Sequence, residues 1–147
     1  MKRKMIFGAV VVFLFFVQAQ TVFAQDMSFQ LLAGAVWDRS NGNSINIANR
    51  IQAIGVQVKN SGMGIIIQFK DGSTQSYALI DIDEVDDGYG RTTWSNVRMV
   101  NPNTGVFFPE HFTAITGIDI MSNIFQFHII NSQGAIILQA GGTMRFI

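Results

Sequence analysis

Two stretches of this chain carry the same pattern, and that pattern admits few folds. Arg50–Leu79 reads RIQAIGVQVKNSGMGIIIQFKDGSTQSYAL, and His111–Gln139 reads HFTAITGIDIMSNIFQFHIINSQGAIILQ. Each copy opens on an alternating run with Ile-Gly-Val or Ile-Thr-Gly-Ile inside it. A short polar break follows, then an apolar run containing Gln-Phe, a turn, and a third run. Alternation of apolar and polar residues puts one set of side chains on each face of a strand. In the first copy Ile54, Val56 and Val58 share a face, as do Ile65, Ile67 and Phe69. In the second, Ile118 pairs with Ile120, and Phe125, Phe127 and Ile129 lie opposite Gln126 and His128.

The rest of the chain extends the same grammar. Phe29–Trp37 reads as a strand, and Asp38–Asn46 is a loop by its Asn, Asp and Gly content. Asp71-Gly72 is the strongest hairpin signal, with Asn131–Gly134 in the matching place of the second copy. Arg91–Val100 reads as a strand and Asn101–Gly105 as a turn. Val106-Phe107-Phe108 is a short apolar segment, Gly141-Gly142 reads as a turn, and Thr143–Ile147 as a last short strand. No stretch beyond residue 24 sustains a helical apolar period. The expectation is one all-β domain over residues 25–147, with about ten short strands in pseudo-symmetric sheets. A spacing of about 60 residues is too long for solenoid units, and two large copies suit a closed architecture that hides strand edges.

The first 24 residues read as an export signal. Lys2-Arg3-Lys4 is a basic start, and Met5–Val17 is an apolar run short of the roughly 20 residues that span a bilayer. Val22-Phe23-Ala24 offers a cleavage site before Gln25. The expected location is therefore secreted or periplasmic, with no stable membrane insertion after cleavage. Removing the three leader cations from ten basic residues leaves seven against ten acids, a net charge of about −3. That balance disfavours a nucleic-acid surface, which needs clustered Lys and Arg. The chain has no cysteine, so neither a disulfide framework nor thiolate chemistry is expected.

Phe108-Pro109-Glu110-His111-Phe112-Thr113-Ala114-Ile115-Thr116-Gly117 is similar to a segment of the jacalin-related lectins. That segment runs Pro, acid, aromatic, then an Ile-Thr-x-Ile-x-Gly-like pattern. Gly142-Thr143-Met144-Arg145-Phe146 and Ile54-Gly55-Val56 also resemble that family. The resemblance implies a β-prism of three sheets that binds sugars without a chemical reaction; a β-sandwich or jelly roll is the alternative shape. The family's Gly-x-x-x-Asp sugar motif corresponds here to Ala48-Asn49-Arg50-Ile51-Gln52, which has neither the glycine nor the carboxylate.

Asp86–Asn96 is the most site-like stretch. A sugar needs a flat aromatic face for its apolar side and paired polar groups for its hydroxyls. Tyr89 and Trp94 supply candidate faces; Asp86, Asp87, Arg91 and Asn96 supply candidate polar groups. The ordinary alternative is a solvated acidic turn with Trp94 in the core. Trp37-Asp38-Arg39 is a second candidate, with a core Trp at a strand end as its more ordinary reading. Asp81, Asp83, Glu84, Asp86 and Asp87 are hard oxygen donors, but EF-hand spacing from Asp83 fails at Val85 and Trp94. No metal or other cofactor is therefore assigned. His111 and His128 are the only histidines, and no Gly-x-Ser-x-Gly elbow occurs. The expected function is a non-enzymatic carbohydrate-binding domain whose partner is a glycan or surface polysaccharide. A structural or protein-interaction module of the cell envelope is the alternative.

Overall fold

The computed structural model describes residues 27–59, 62–86 and 90–147. The export signal assigned to residues 1–24 lies outside the described residues. The elements are β1 (Met27–Asp38), β2 (Ile45–Asn46), a single 3-10 turn (Ala48–Arg50), β3 (Ile51–Lys59) and β4 (Gly62–Phe69). They continue as β5 (Thr74–Asp86), β6 (Arg91–Val100), β7 (Phe107–Asp119), β8 (Ile124–Ile130) and β9 (Ile136–Phe146). The protein is all-β. From β3 onward each strand pairs antiparallel with the next, and β1 pairs with both β3 and β9, so the sheet closes on itself. Eight strands form the ring, and β2 is a short addition to β1. No helix among the described residues is long and apolar enough to cross a membrane.

The two similar blocks fall on β3–β5 and β7–β9, with β6 between them on one side of the ring and β1 on the other. Their second hairpins turn in the same way. The Phe69 amide donates to the Ser73 carbonyl at 2.9 Å and the Gly72 amide to the Phe69 carbonyl at 3.0 Å. The Asn131 amide donates to the Ala135 carbonyl at 2.9 Å and the Gly134 amide to the Asn131 carbonyl at 3.0 Å. Gly72 and Gly134 both sit at positive φ, where glycine has no Cβ penalty. The side chains that fix these turns differ. Asp71 accepts from the Ser73 hydroxyl at 2.6 Å and the Ser73 amide at 2.9 Å, which holds its carboxyl below the usual range. Asn131 instead accepts from the amides of Gln133 and Ala135.

Alternation fills the interior of the closed sheet. Phe29, Ile54, Ile65, Ile67, Leu79, Trp94, Phe125, Phe127, Ile129 and Met144 are wholly buried. Eight strands leave an interior about wide enough for side chains to fill. Phe29 meets Phe125 edge-on with ring centroids 5.2 Å apart, and Phe125 meets Phe127 at 6.0 Å. Each such side chain contributes about 1.5–3 kcal/mol through burial.

Two local expectations differ from the fold. Nine strands, against about ten expected, are present among the described residues, and β5 runs on past Asp81 as far as Asp86. Asp81 accommodates this with a left-handed backbone (φ 60°), beside a register shift between Ile82 and Glu84. Gly141-Gly142 is the middle of β9 and not a turn. Gly141 is there because a Cβ would lie 3.3 Å from the Gln126 Cβ.

Candidate functional site

Four of the six candidate residues are described, on β5 and β6, and they do not share one place. Asp86 ends β5 and Arg91 begins β6 as its register partner. Their side chains form an ion pair at 2.6 Å. Asp87 and Tyr89 lie outside the described residues. Asn96 is further down β6, where its Nδ2 donates to Asp81 Oδ2 at 3.4 Å and its Oδ1 is buried without a partner. The neighbouring Ser95 hydroxyl donates to the Asp81 carbonyl at 3.0 Å. Both contacts brace the left-handed turn of Asp81 in β5.

Trp94 requires a correction. Its side chain is 1 % exposed, inside the closed sheet, and its indole N–H donates to Thr116 Oγ1 at 3.0 Å. Thr92 and Thr116 are buried with it. A ring held there offers no face to a sugar outside. Its burial was legible as alternation: Thr92 and Trp94 share one face of β6, and Thr93 and Ser95 the other. The Asp86–Arg91 pair is about half exposed, and exposed pairs contribute roughly 0–1 kcal/mol. Asp86→Asn is therefore expected to change stability by less than about 1 kcal/mol in urea denaturation. Among the described residues no cluster of three or more His, Asp or Glu is placed to hold a metal.

A different aromatic faces outward. β1 shifts register between Ala33 and Ala35. Before the shift Phe29 and Leu31 point inward; after it Val36 does. One extra residue turns every later side chain to the other face. Trp37 therefore stands on the outer wall, half-buried, and not in the core as its more ordinary reading had it. Its register partners are Asn46 on β2 and Gln139 on β9, and Gln139 pairs in turn with His128 on β8. Leu138, Ala140, Phe127 and Ile129 are buried, so Gln139 and His128 face out beside Trp37. Directly opposite side chains on antiparallel strands have Cβ atoms about 5 Å apart. Asn46, Trp37, Gln139 and His128 thus form one continuous row across four strands.

No family model matches this chain, nor does any curated protein or any solved structure.

Arg39 extends the row at its upper edge. The Arg39 amide donates to the Ile137 carbonyl at 2.8 Å, prolonging the β1–β9 pairing past Asp38. Arg39 lies two residues beyond Trp37 on the same side of β1. Its charge reaches His128: partial burial, then the Arg39 cation, holds that imidazole below its usual pKa. Asp38 goes the other way. It accepts from the Ser40 hydroxyl at 2.6 Å and the Ser40 amide at 2.9 Å, which, with the Arg50 charge, lower its pKa. Its charge also acts on the buried Tyr77 phenol, which burial above all pushes up to about 12. The row is therefore an aromatic face flanked by amides, a neutral imidazole and one cation. Such a row suits hydrogen bonding to many hydroxyls.

Proposed function

We propose that this is an exported, non-enzymatic domain that binds carbohydrate, in the form of a glycan or surface polysaccharide, on the outer wall of its barrel. The observation that carries this reading is the outward Trp37 in line with Asn46, Gln139 and His128. An indole is a flat apolar surface for a sugar ring, and amides and imidazole both donate and accept. The row is open and crosses four strands, which suits an extended polymer better than a single enclosed sugar. We read the unbroken ring of neighbouring strands as a barrel, in preference to the three-sheet prism of the jacalin-related lectins or a two-sheet sandwich. The lectin resemblance supports the sugar reading through the β7 and β9 motifs only. The wall also favours water over lipid. Gln57, Gln68, Gln126 and Thr143 are exposed on it, among scattered apolar side chains such as Leu32, Ile66 and Ile124, so among the described residues it lacks the continuous apolar band of a lipid-facing barrel.

The test is affinity electrophoresis of the full chain in gels containing polysaccharides of differing charge. Trp37→Ala is expected to weaken retardation at least tenfold, about 1.4 kcal/mol, while the thermal midpoint stays close to that of the parent. Equal retardation of parent and variant would remove the row from the reading.

A specific feature favours the envelope-module alternative. Val106, Phe107 and Phe108 are exposed at the start of β7. Arg98 lies over the Phe107 ring at 5.3 Å and donates to the Phe108 carbonyl. A parent protein silent on every polysaccharide would leave this apolar end as the place where the protein acts.

A further inference from the structure

We infer that the Arg39 end of the Trp37 row takes the carboxylate of a sugar acid, so that the ligand is an acidic, uronate-containing polysaccharide. The inference rests on the carbohydrate-binding reading and narrows it. Three observations carry it.

The first is an unanswered donor. The Arg39 Nε is buried with no hydrogen-bond partner, and the Arg39 guanidinium forms no ion pair among the described residues. A buried polar group left unpaired is costly, and a guanidinium all the more so. The adjacent carboxylate is otherwise engaged: Asp38 is taken by Ser40 and senses Arg50.

The second is geometry. The planar guanidinium fork matches a carboxylate, two donors to two oxygens. Two residues along a strand separate Trp37 and Arg39 by about 7 Å. A ring stacked on the indole therefore brings the carboxylate of that sugar, or of its neighbour, to the cation. Gln139 and His128 lie alongside for the hydroxyls. The neutral imidazole serves there as donor and acceptor, not as a second cation.

The third is contrast. Outside the leader, acids outnumber bases ten to seven. An acidic polymer is therefore disfavoured over most of the surface and admitted at an uncompensated cation. The same contrast makes the attraction sensitive to salt.

The experiment compares the full chain on polygalacturonate, alginate and hyaluronate, each beside its carboxyl-reduced, neutral form. The parent should bind at least one acidic polymer tenfold or more tightly than its reduced form, and the difference should shrink as salt rises. Arg39→Gln should bring acidic binding down to the neutral level without altering the latter. Lys59→Gln, on an exposed and distant part of β3, should change neither. Equal binding of the parent to an acidic polymer and its reduced form would overturn the inference while leaving the carbohydrate reading standing. So would a folded Arg39→Gln that keeps the preference. No binding to any polymer in either form would remove both together. The parent comparison decides the matter even where a variant fails to fold.

Discussion

Trp94→Ala is expected to remove about 3–5 kcal/mol of stability. The side chain is wholly buried, on a strand whose register at that point pairs Trp94 with Ile82 on β5 and Ala114 on β7. Two losses add. Truncation leaves a cavity that the closed sheet cannot collapse into, since the surrounding strands are fixed by their own hydrogen bonds. It also strips Thr116 of its 3.0 Å partner in a place where Thr116 is 2 % exposed. Trp94→Phe separates the two. It keeps most of the apolar bulk and loses the N–H, so it should fall short of the alanine variant, with an unpaired hydroxyl worth about 1–3 kcal/mol. For a domain of this size the alanine variant should lower the thermal midpoint by roughly 10–20 °C. Urea denaturation with an unchanged m-value is the measurement. A loss under 1 kcal/mol for Trp94→Ala would show that the indole is not in the core.

How much of this was legible before the fold? The strands and their faces were, wherever alternation ran unbroken. Ile54, Val56 and Val58 face inward as the pattern dictates, as do Phe125, Phe127 and Ile129. His128 faces outward, and both Gly72 and Gly134 turn where the composition placed them. The closure of β1 on β9 was not legible. It joins residues more than a hundred positions apart, and alternation carries no information about which strand lies beside which.

The faces of the two tryptophans were harder to read, for a narrower reason. A β-bulge inverts the faces downstream of it, and a bulge leaves only a weak mark in sequence. In β1 the odd positions Phe29 and Leu31 are inside, so unbroken alternation would put Trp37 inside as well. The shift between Ala33 and Ala35 puts Val36 there and turns Trp37 out. The available signal was the triplet Ala33-Gly34-Ala35, since glycine inside a strand often marks a bulge. In β6 proximity to an acidic turn made Trp94 a candidate sugar face, but Thr92 and Trp94 keep an inward register until the shift before Val97, as the core alternative had it. The two tryptophans exchange roles, and one extra residue in β1 accounts for Trp37.

Gly90→Ala is the second large effect, expected at about 2–4 kcal/mol. Gly90 sits at φ +67°, a region costing an L side chain roughly 1–2 kcal/mol. A Cβ there would also lie 2.4 Å from the Ile118 carbonyl oxygen, which is backbone and cannot rotate away. The Gly90 carbonyl meanwhile accepts from the Ile118 amide at 3.2 Å, so the two segments cannot separate without losing that bond. Gly55 is the matched control. It has neither positive φ nor any atom within 4 Å of a would-be Cβ. Gly55→Ala should therefore stabilise by about 0.5 kcal/mol, because glycine in a strand loses more backbone freedom on folding than alanine does. Equal effects from the two alanines would mean that Gly90 is not pressed against β7. Because Gly90 lies across the ring from Trp37, its variant should keep whatever polysaccharide retardation the parent shows for as long as it stays folded. A stability loss that leaves the Trp37 row intact would separate what holds the ring closed from what its outer face presents.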